Sequence, residues 1–125
     1  MSNTRTALIA FAASRIAFGI GLVAAPAKVA GGWLGEDAKR PPTQIAIRGL
    51  GARDIALSVG MLATMDDADR LAPWLAVTIA SDLTDMAATL AAPDEALPSR
   101  ARMGTAALAG GAALAGAALL AAAKR

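Results

Sequence analysis

The chain has 125 residues, 56% hydrophobic and 18% charged, with a mean hydropathy of +0.51 and 3% aromatic residues. That is too apolar for an ordinary soluble domain and too poor in large rings to fill a water-soluble core, whereas membrane helix bundles pack through small residues. The net charge of +2 is spread without a basic cluster, and there is no His or Cys, so we predict no nucleic-acid partner, no metal and no cofactor.

The first predicted element is an apolar helix over residues 6–25, and Pro26 ends or bends it. About 20 apolar residues suffice to cross the hydrocarbon core of a bilayer. The helix carries a single charge, Arg15, near its midpoint. Three apolar residues share its helix face, so we predict that this face looks inward: Phe11, Phe18 and Leu22.

The second predicted span covers residues 43–65 and follows a segment rich in Gly, Pro and charge over residues 26–42. We predict that this segment is a loop outside the membrane, with Trp33 as an anchor at the interface. Pro41 and Pro42 fit the start of a helix. The span contains the motif Arg48-Gly-Leu-Gly-Ala-Arg53-Asp54.

The third and fourth predicted spans cover residues 73–92 and 103–123, and the short charged turn before the third span makes spans two and three antiparallel. Offsets of four, three and four place a polar stripe on one face of the third span: Thr78, Asp82, Asp85 and Thr89. The fourth span has no charge, and its small residues recur four apart. We predict that these small residues pack within the chain, with a dimer face as the alternative.

The six charges of the spans fall at overlapping depths when each residue is counted as about 1.5 Å of rise. Three are arginines and three are aspartates, so their formal charges cancel: Arg15, Arg48, Arg53, Asp54, Asp82 and Asp85. A lone charge at mid-membrane costs about 2.5 to 3.5 kcal/mol on insertion scales, and pairing makes it tolerable. We therefore predict an all-α, antiparallel four-transmembrane-helix bundle. In it, Asp82 and Asp85 face Arg15 and either Arg48 or Arg53.

The charged motifs of the first three spans carry a resemblance to a known group. They are Arg15…Gly19…Pro26, the Arg48–Asp54 motif and Ser81-Asp82-Leu83-Thr84-Asp85. The chain resembles small bacterial four-helix membrane proteins of uncharacterised function, which are similar in size and topology to the DoxX-like group. The resemblance implies a bacterial inner-membrane location with cytoplasmic termini. The wider group includes redox-associated subunits and accessory proteins, but this chain has no cysteine, so thiol redox chemistry does not carry over to it. An accessory role with a quinone-like or lipid-like ligand between the helices is compatible with the resemblance.

Several functions remain open for the charged centre. A hydrophobic-ligand-binding or accessory subunit would use Arg15, Arg48 and Arg53 to bind the polar end of its ligand. A membrane isomerase or cyclase would use Asp54, Asp82 or Asp85 as acid or base. A homo-oligomer could conduct protons or ions, a larger membrane complex could recruit the chain, and the charges could serve only to fix helix register. Membrane lipids are the expected surroundings in every case.

Overall fold

The computed structural model describes residues 2–125, which form five α-helices and one 3₁₀ turn. The helices are α1 (Asn3–Ala24), α2 (Pro26–Leu34), α3 (Pro41–Thr64), α4 (Ala68–Ala91) and α5 (Ser99–Ala123), and the 3₁₀ turn Gly35–Lys39 joins α2 to α3. The all-helical prediction is therefore confirmed. The four long helices contain most of each of the four predicted spans.

The segment predicted as a loop before α3 is instead largely helical, and this prediction was wrong. Pro26 does end α1, but it also occupies the first turn of α2, where its fixed φ suits a helix and its missing N–H is no loss. Ala30 then buries against the end of the bundle, with 2% of its surface exposed. Gly35 ends α2 with a φ of 65°, which glycine adopts without strain.

Helices α4 and α5 begin earlier than predicted, by five and four residues. Asp67 caps α4, because its side chain accepts hydrogen bonds from the backbone N–H groups of Asp69 and Arg70. Pro73, which was predicted to begin the span, thus lies in the second turn. At the start of α5, Arg102 belongs to the helix rather than to the preceding loop.

The long helices form two closely packed pairs, α1 with α3 and α4 with α5, and α3 against α4 joins the pairs. Consecutive long helices run antiparallel, because one buried cluster combines the start of α1 and α4 with the end of α3 and α5: Leu8, Met61, Leu71, Leu75 and Leu119. A second cluster closes the opposite end: Leu22, Ala30, Ala38 and Ile47. Helices α1 and α5 touch little, so the bundle has a gap on that side.

Glycines set the closest helix crossings. A Cβ on Gly19 would lie 2.6 Å from the carbonyl oxygen of Gly51, and a Cβ on Gly51 would lie 2.6 Å from that of Gly19. Helices α1 and α3 therefore meet backbone to backbone at this pair. Where α3 crosses α4, the Trp74 ring lies directly on Gly60 and leaves no space for a side chain.

Some of the small residues of α5 pack against α4 within the chain, so that prediction is confirmed in part. A Cβ on Gly110 would lie 3.1 Å from Sδ of Met86, and one on Gly116 would lie 3.0 Å from Ile79. Ala106 is also buried. Gly111, on another face of α5, has open space around it.

Two helices are long and apolar enough to cross a membrane by length and composition: α1 over Asn3–Ala24 and α5 over Arg100–Ala123. In the most apolar 18-residue stretch of each helix, about a fifth of the residues are buried inside the structure. Large apolar side chains are also exposed on α3 and α4: Ile45, Val59, Val77, Leu83 and Leu90.

Candidate functional site

A bidentate ion pair between α1 and α4 lies at the centre of the bundle. Arg15 donates from Nη1 to Oδ2 of Asp82 at 3.0 Å and from Nη2 to Oδ1 at 2.9 Å. The two side chains are 11% and 6% exposed. This fork geometry is the strongest arrangement available to an arginine and a carboxylate, and it fixes both side chains in direction as well as distance.

Asp54 of α3 joins the same arginine. Its Oδ1 accepts from Nη2 of Arg15 at 3.1 Å, and the side chain is 8% exposed. The contact follows from the close crossing of α1 and α3, since Arg15 lies one turn before Gly19 and Asp54 lies three residues after Gly51. Arg15 thus connects three helices through one guanidinium.

A second ion pair continues the network from α3 to α4. Nη2 of Arg53 lies 3.0 Å from Oδ2 of Asp85 and 3.5 Å from Oδ1 of Asp54. These side chains are more open, with Arg53 33% and Asp85 27% exposed. The prediction that Asp82 and Asp85 face Arg15 and either Arg48 or Arg53 is confirmed, with Asp82 on Arg15 and Asp85 on Arg53.

Arg48 lies apart from the other five charged residues. Its Nε donates to the backbone carbonyl of Val23 at 3.1 Å, where α1 ends, and the residue is exposed. An arginine at this position complements the negative end of the α1 dipole. Arg102 does the same for α4, donating to carbonyl oxygens of Thr89 and Leu90.

The predicted cancellation of charge at the centre was therefore wrong. Arg48 was counted in the balance, but it lies too far toward the end of the bundle. The five groups that do meet are two arginines and three aspartates, with a formal charge of −1 when all are ionised. We refer to these five as the ion-pair cluster: Arg15, Arg53, Asp54, Asp82 and Asp85.

A cavity of about 750 Å³ lies above the ion-pair cluster, in the gap between α1 and α5. Four members of the cluster line it at one end: Arg15, Asp54, Asp82 and Asp85. Its walls are predominantly apolar and include the inward face predicted for α1: Phe11, Phe18 and Leu22. We call the end of the cavity that the ion-pair cluster forms its floor. The Arg15 guanidinium lies over the Phe11 ring, 5.4 Å from its centroid, so the floor and the apolar wall are in direct contact.

Two residues at the cavity were not assigned to it from the sequence. Trp33 was interpreted as an interfacial anchor, but on α2 it forms part of the wall, and its buried Nε1 has no hydrogen-bond partner. Arg100 lines the cavity near the start of α5, at the end away from the ion-pair cluster. Neither role has a direct sign in the sequence, because the position of Trp33 depends on α2 folding as a helix and that of Arg100 depends on α5 beginning before residue 103.

No protein-family model, no curated protein and no solved structure matches this chain.

Proposed function

We propose that this is an integral membrane protein of four spans that binds the polar end of a hydrophobic molecule, of lipid or quinone type, between α1 and α5. One observation carries the proposal. An apolar cavity of about 750 Å³ ends on a cluster of buried ion pairs halfway along the bundle. Small-molecule sites typically have volumes of about 300 to 1,000 Å³, with mostly apolar walls and a few polar groups.

The placement of charge supports the crossing of the membrane by α3 and α4. Their charges lower the hydropathy of these helices, but Asp54 and Asp82 turn into the bundle, where they are 5% and 4% exposed. The outer faces instead present apolar residues such as Val59 and Val77, each 52% exposed. A soluble bundle would reverse this arrangement, whereas charges turned inward and apolar side chains turned outward are typical of membrane helices.

The gap between α1 and α5 supports an amphiphilic ligand. A molecule in the bilayer could enter sideways between these helices without crossing a polar surface, since exposed residues near the gap include Phe18 and Leu108. Its polar end would then meet Asp85, which is the most exposed carboxylate of the ion-pair cluster.

We also propose a cellular location, an orientation and a family for the protein. These are a bacterial inner-membrane location, cytoplasmic termini and a relationship to the DoxX-like group. The support for all three is the resemblance of the sequence motifs around Arg15, Asp54 and Asp82. The role proposed is that of a binding or accessory subunit. It could work as a homo-oligomer or within a larger membrane complex.

Acid–base catalysis on an apolar substrate is the second candidate, and Asp85 favours it. This carboxylate lines the cavity, and its contact with Arg53 engages Oδ2 alone. Its other oxygen is thus available to take a proton from a bound molecule, which is the geometry that a general base needs. An Asp85→Asn variant that binds ligand but no longer converts it would favour this function.

The proposal is tested by native mass spectrometry and lipid analysis of the protein extracted in a mild detergent. Ala112→Phe places a large ring in the cavity that Ala112 lines, while Ala107→Phe adds the same ring to an exposed position on α5 outside the cavity wall. We expect a hydrophobic molecule to remain with the wild type and with Ala107→Phe and to be lost from Ala112→Phe. Equal retention by both variants, or no bound molecule in the wild type, would contradict the proposal.

A further inference from the structure

The excess negative charge of the ion-pair cluster bears on the head group of the ligand. Arg15 balances one carboxylate of the cluster and Arg53 balances another, which leaves one formal negative charge. In a medium of low dielectric constant an uncompensated charge is costly. A positive group in the adjoining cavity would remove that cost.

Where the cavity meets the ion-pair cluster, the side-chain oxygens that accept no hydrogen bond from a described residue belong to carboxylates. The other polar residues of the lining are Thr105, Arg100 and Ser14, whose hydroxyl donates to the carbonyl of Phe11. Both contacts of Asp54 with arginines go to Oδ1, and the contact of Asp85 goes to Oδ2. The second oxygen of each carboxylate has no hydrogen bond from the residues that the structure describes, and both residues line the cavity. The unpaired N–H groups nearby, Nε of Arg15 and Nε1 of Trp33, are covered by other atoms.

We propose that the cavity selects an amphiphile whose head group is an ammonium, held by Asp85 and Asp54, with its apolar tail along Phe18 and Trp33. This inference rests on the proposed function and narrows its ligand class. An ammonium supplies both the donors and the charge that the floor lacks, whereas a carboxylate head group would add to the negative charge. A quinone carbonyl would bring a further acceptor to a floor that already presents acceptors.

Arg100, the charged residue of the cavity lining that is outside the ion-pair cluster, lies far from this head group. Gly110 and Gly116 of α5 face Met86 and Ile79 of α4. Because Asp82 and Asp85 lie between those two residues of α4, the ion-pair cluster is level with the part of α5 between the two glycines. Arg100 is about a dozen residues before that level, which corresponds to about 18 Å along the helix. It is also exposed, so its charge is screened and does not neutralise the floor.

The test uses three probes with the same tail and different heads: decylammonium, decanol and decanoate. Each is titrated at neutral pH into the protein in phosphatidylcholine nanodiscs, with empty nanodiscs as the blank. Trp33 reports occupancy by its fluorescence in a Trp74→Phe background, because these are the two tryptophans of the chain. We expect decylammonium to bind at least about tenfold more tightly than either of the other probes, because it alone compensates the floor.

The outcomes separate this inference from the proposed function. Equal affinity for all three probes, or preference for decanoate, would overturn the ammonium head group and leave a hydrophobic-ligand site in place. Failure of every probe to change Trp33 fluorescence would count against both. The three probes are compared in one protein, the Trp74→Phe background, so the comparison does not depend on the folding of any variant of the ion-pair cluster.

A pair of variants then assigns the selectivity to the floor. Asp85→Asn removes its excess charge, and we expect the advantage of decylammonium over decanol to fall about tenfold. Asp37→Asn makes the same change at an exposed position in the 3₁₀ turn, outside the cavity lining, and should leave that advantage intact. An unchanged advantage in Asp85→Asn would contradict the assignment.

Discussion

Arg15 is the residue on which the centre of the bundle depends. Its guanidinium forms a fork with Asp82 and a third hydrogen bond with Asp54, so it joins α1 to both α3 and α4. A buried ion pair adds little net stability when formed from water, but Asp82 accepts two of the three hydrogen bonds by which Arg15 joins the helices. The loss of Asp82 should therefore cost more than the loss of a surface carboxylate.

We expect Asp82→Asn to lower the free energy of unfolding by about 1.5 to 3 kcal/mol, because the amide oxygen can accept only one of the two hydrogen bonds that Arg15 donates to Asp82. Asp66→Asn is the matched control, since Asp66 pairs with Arg5 but its side chain is 80% exposed, and that change should cost at most about 1 kcal/mol. Denaturant unfolding of the detergent-solubilised protein measures both. Similar losses in the two variants would show that the ion pair between Arg15 and Asp82 stabilises the protein no more than an exposed ion pair does.

Two arginines of α3 offer a second comparison. Arg53→Gln leaves Asp85 without its ion-pair partner and should cost about 1.5 to 3 kcal/mol, as expected for a hydrogen bond to a charged group. Arg48→Gln removes only a side chain that caps α1 through Val23, and should cost about 0.3 to 1 kcal/mol. The same unfolding measurement separates them, and a larger effect at Arg48 would contradict the charge count of the ion-pair cluster.

The sequence predicted the pairing of charges better than their balance. Depth along the helices suffices to bring Asp82 and Asp85 toward Arg15 and toward either Arg48 or Arg53, because antiparallel helices of similar length align their midpoints. The position of Arg48 depends instead on where α1 ends. The end of α1 places a free carbonyl group beside Arg48, which therefore contacts that carbonyl and not a carboxylate. The spacing of residues in α3 does not predict where α1 ends.

At the scale of the elements, close approach of helices sets the geometry of the site. Gly19 and Gly51 allow α1 and α3 to touch, and this contact brings Arg15 within reach of Asp54. Added bulk at the crossing would push the helices apart, and the effect would pass directly to the ion-pair cluster.

Gly51→Ala should destabilise the protein by about 1 to 3 kcal/mol, because the new methyl group would overlap the backbone of α1. Gly49→Ala lies on the same helix with open space around it, and alanine is the better helix former by about 1 kcal/mol. That control should therefore be neutral or stabilising. Thermal unfolding distinguishes the two, and equal behaviour would contradict the backbone contact.

The elements missed by the sequence are those with weak internal signals. Helix α2 has nine residues and two consecutive glycines, so its composition favours a loop, and only its burial against Leu22 and Ile47 stabilises it as a helix. The early start of α4 depends on the side-chain cap of Asp67, which the charged composition around it concealed. The long apolar stretches, by contrast, were predictable because length and periodicity alone define them.

On the scale of the whole molecule, the cavity results from unequal packing. Each close pair of helices buries its small residues, whereas α1 and α5 remain separated beyond the end where Leu8 and Leu119 meet. A sequence does not reveal such a gap, since it reflects how two pairs of helices meet and not the pattern of any one of them. The proposed ligand site depends on this gap and on a membrane around it.

In the proposed arrangement the chain crosses the membrane four times with the ion-pair cluster turned inward, and the cavity then opens to lipid. The chain has no native cysteine, so single cysteines can report exposure to water. Val59→Cys and Val77→Cys test the outer faces of α3 and α4. Asp69→Cys, at the exposed start of α4, is the control.

The decisive measurement is the rate at which a charged, membrane-impermeant maleimide labels these cysteines in open membrane fragments. We predict that Asp69→Cys is labelled rapidly, while Val59→Cys and Val77→Cys are protected until detergent and denaturant are added. Labelling of either valine position at the rate of Asp69→Cys in intact membranes would contradict the account, because α3 or α4 would then lie in water.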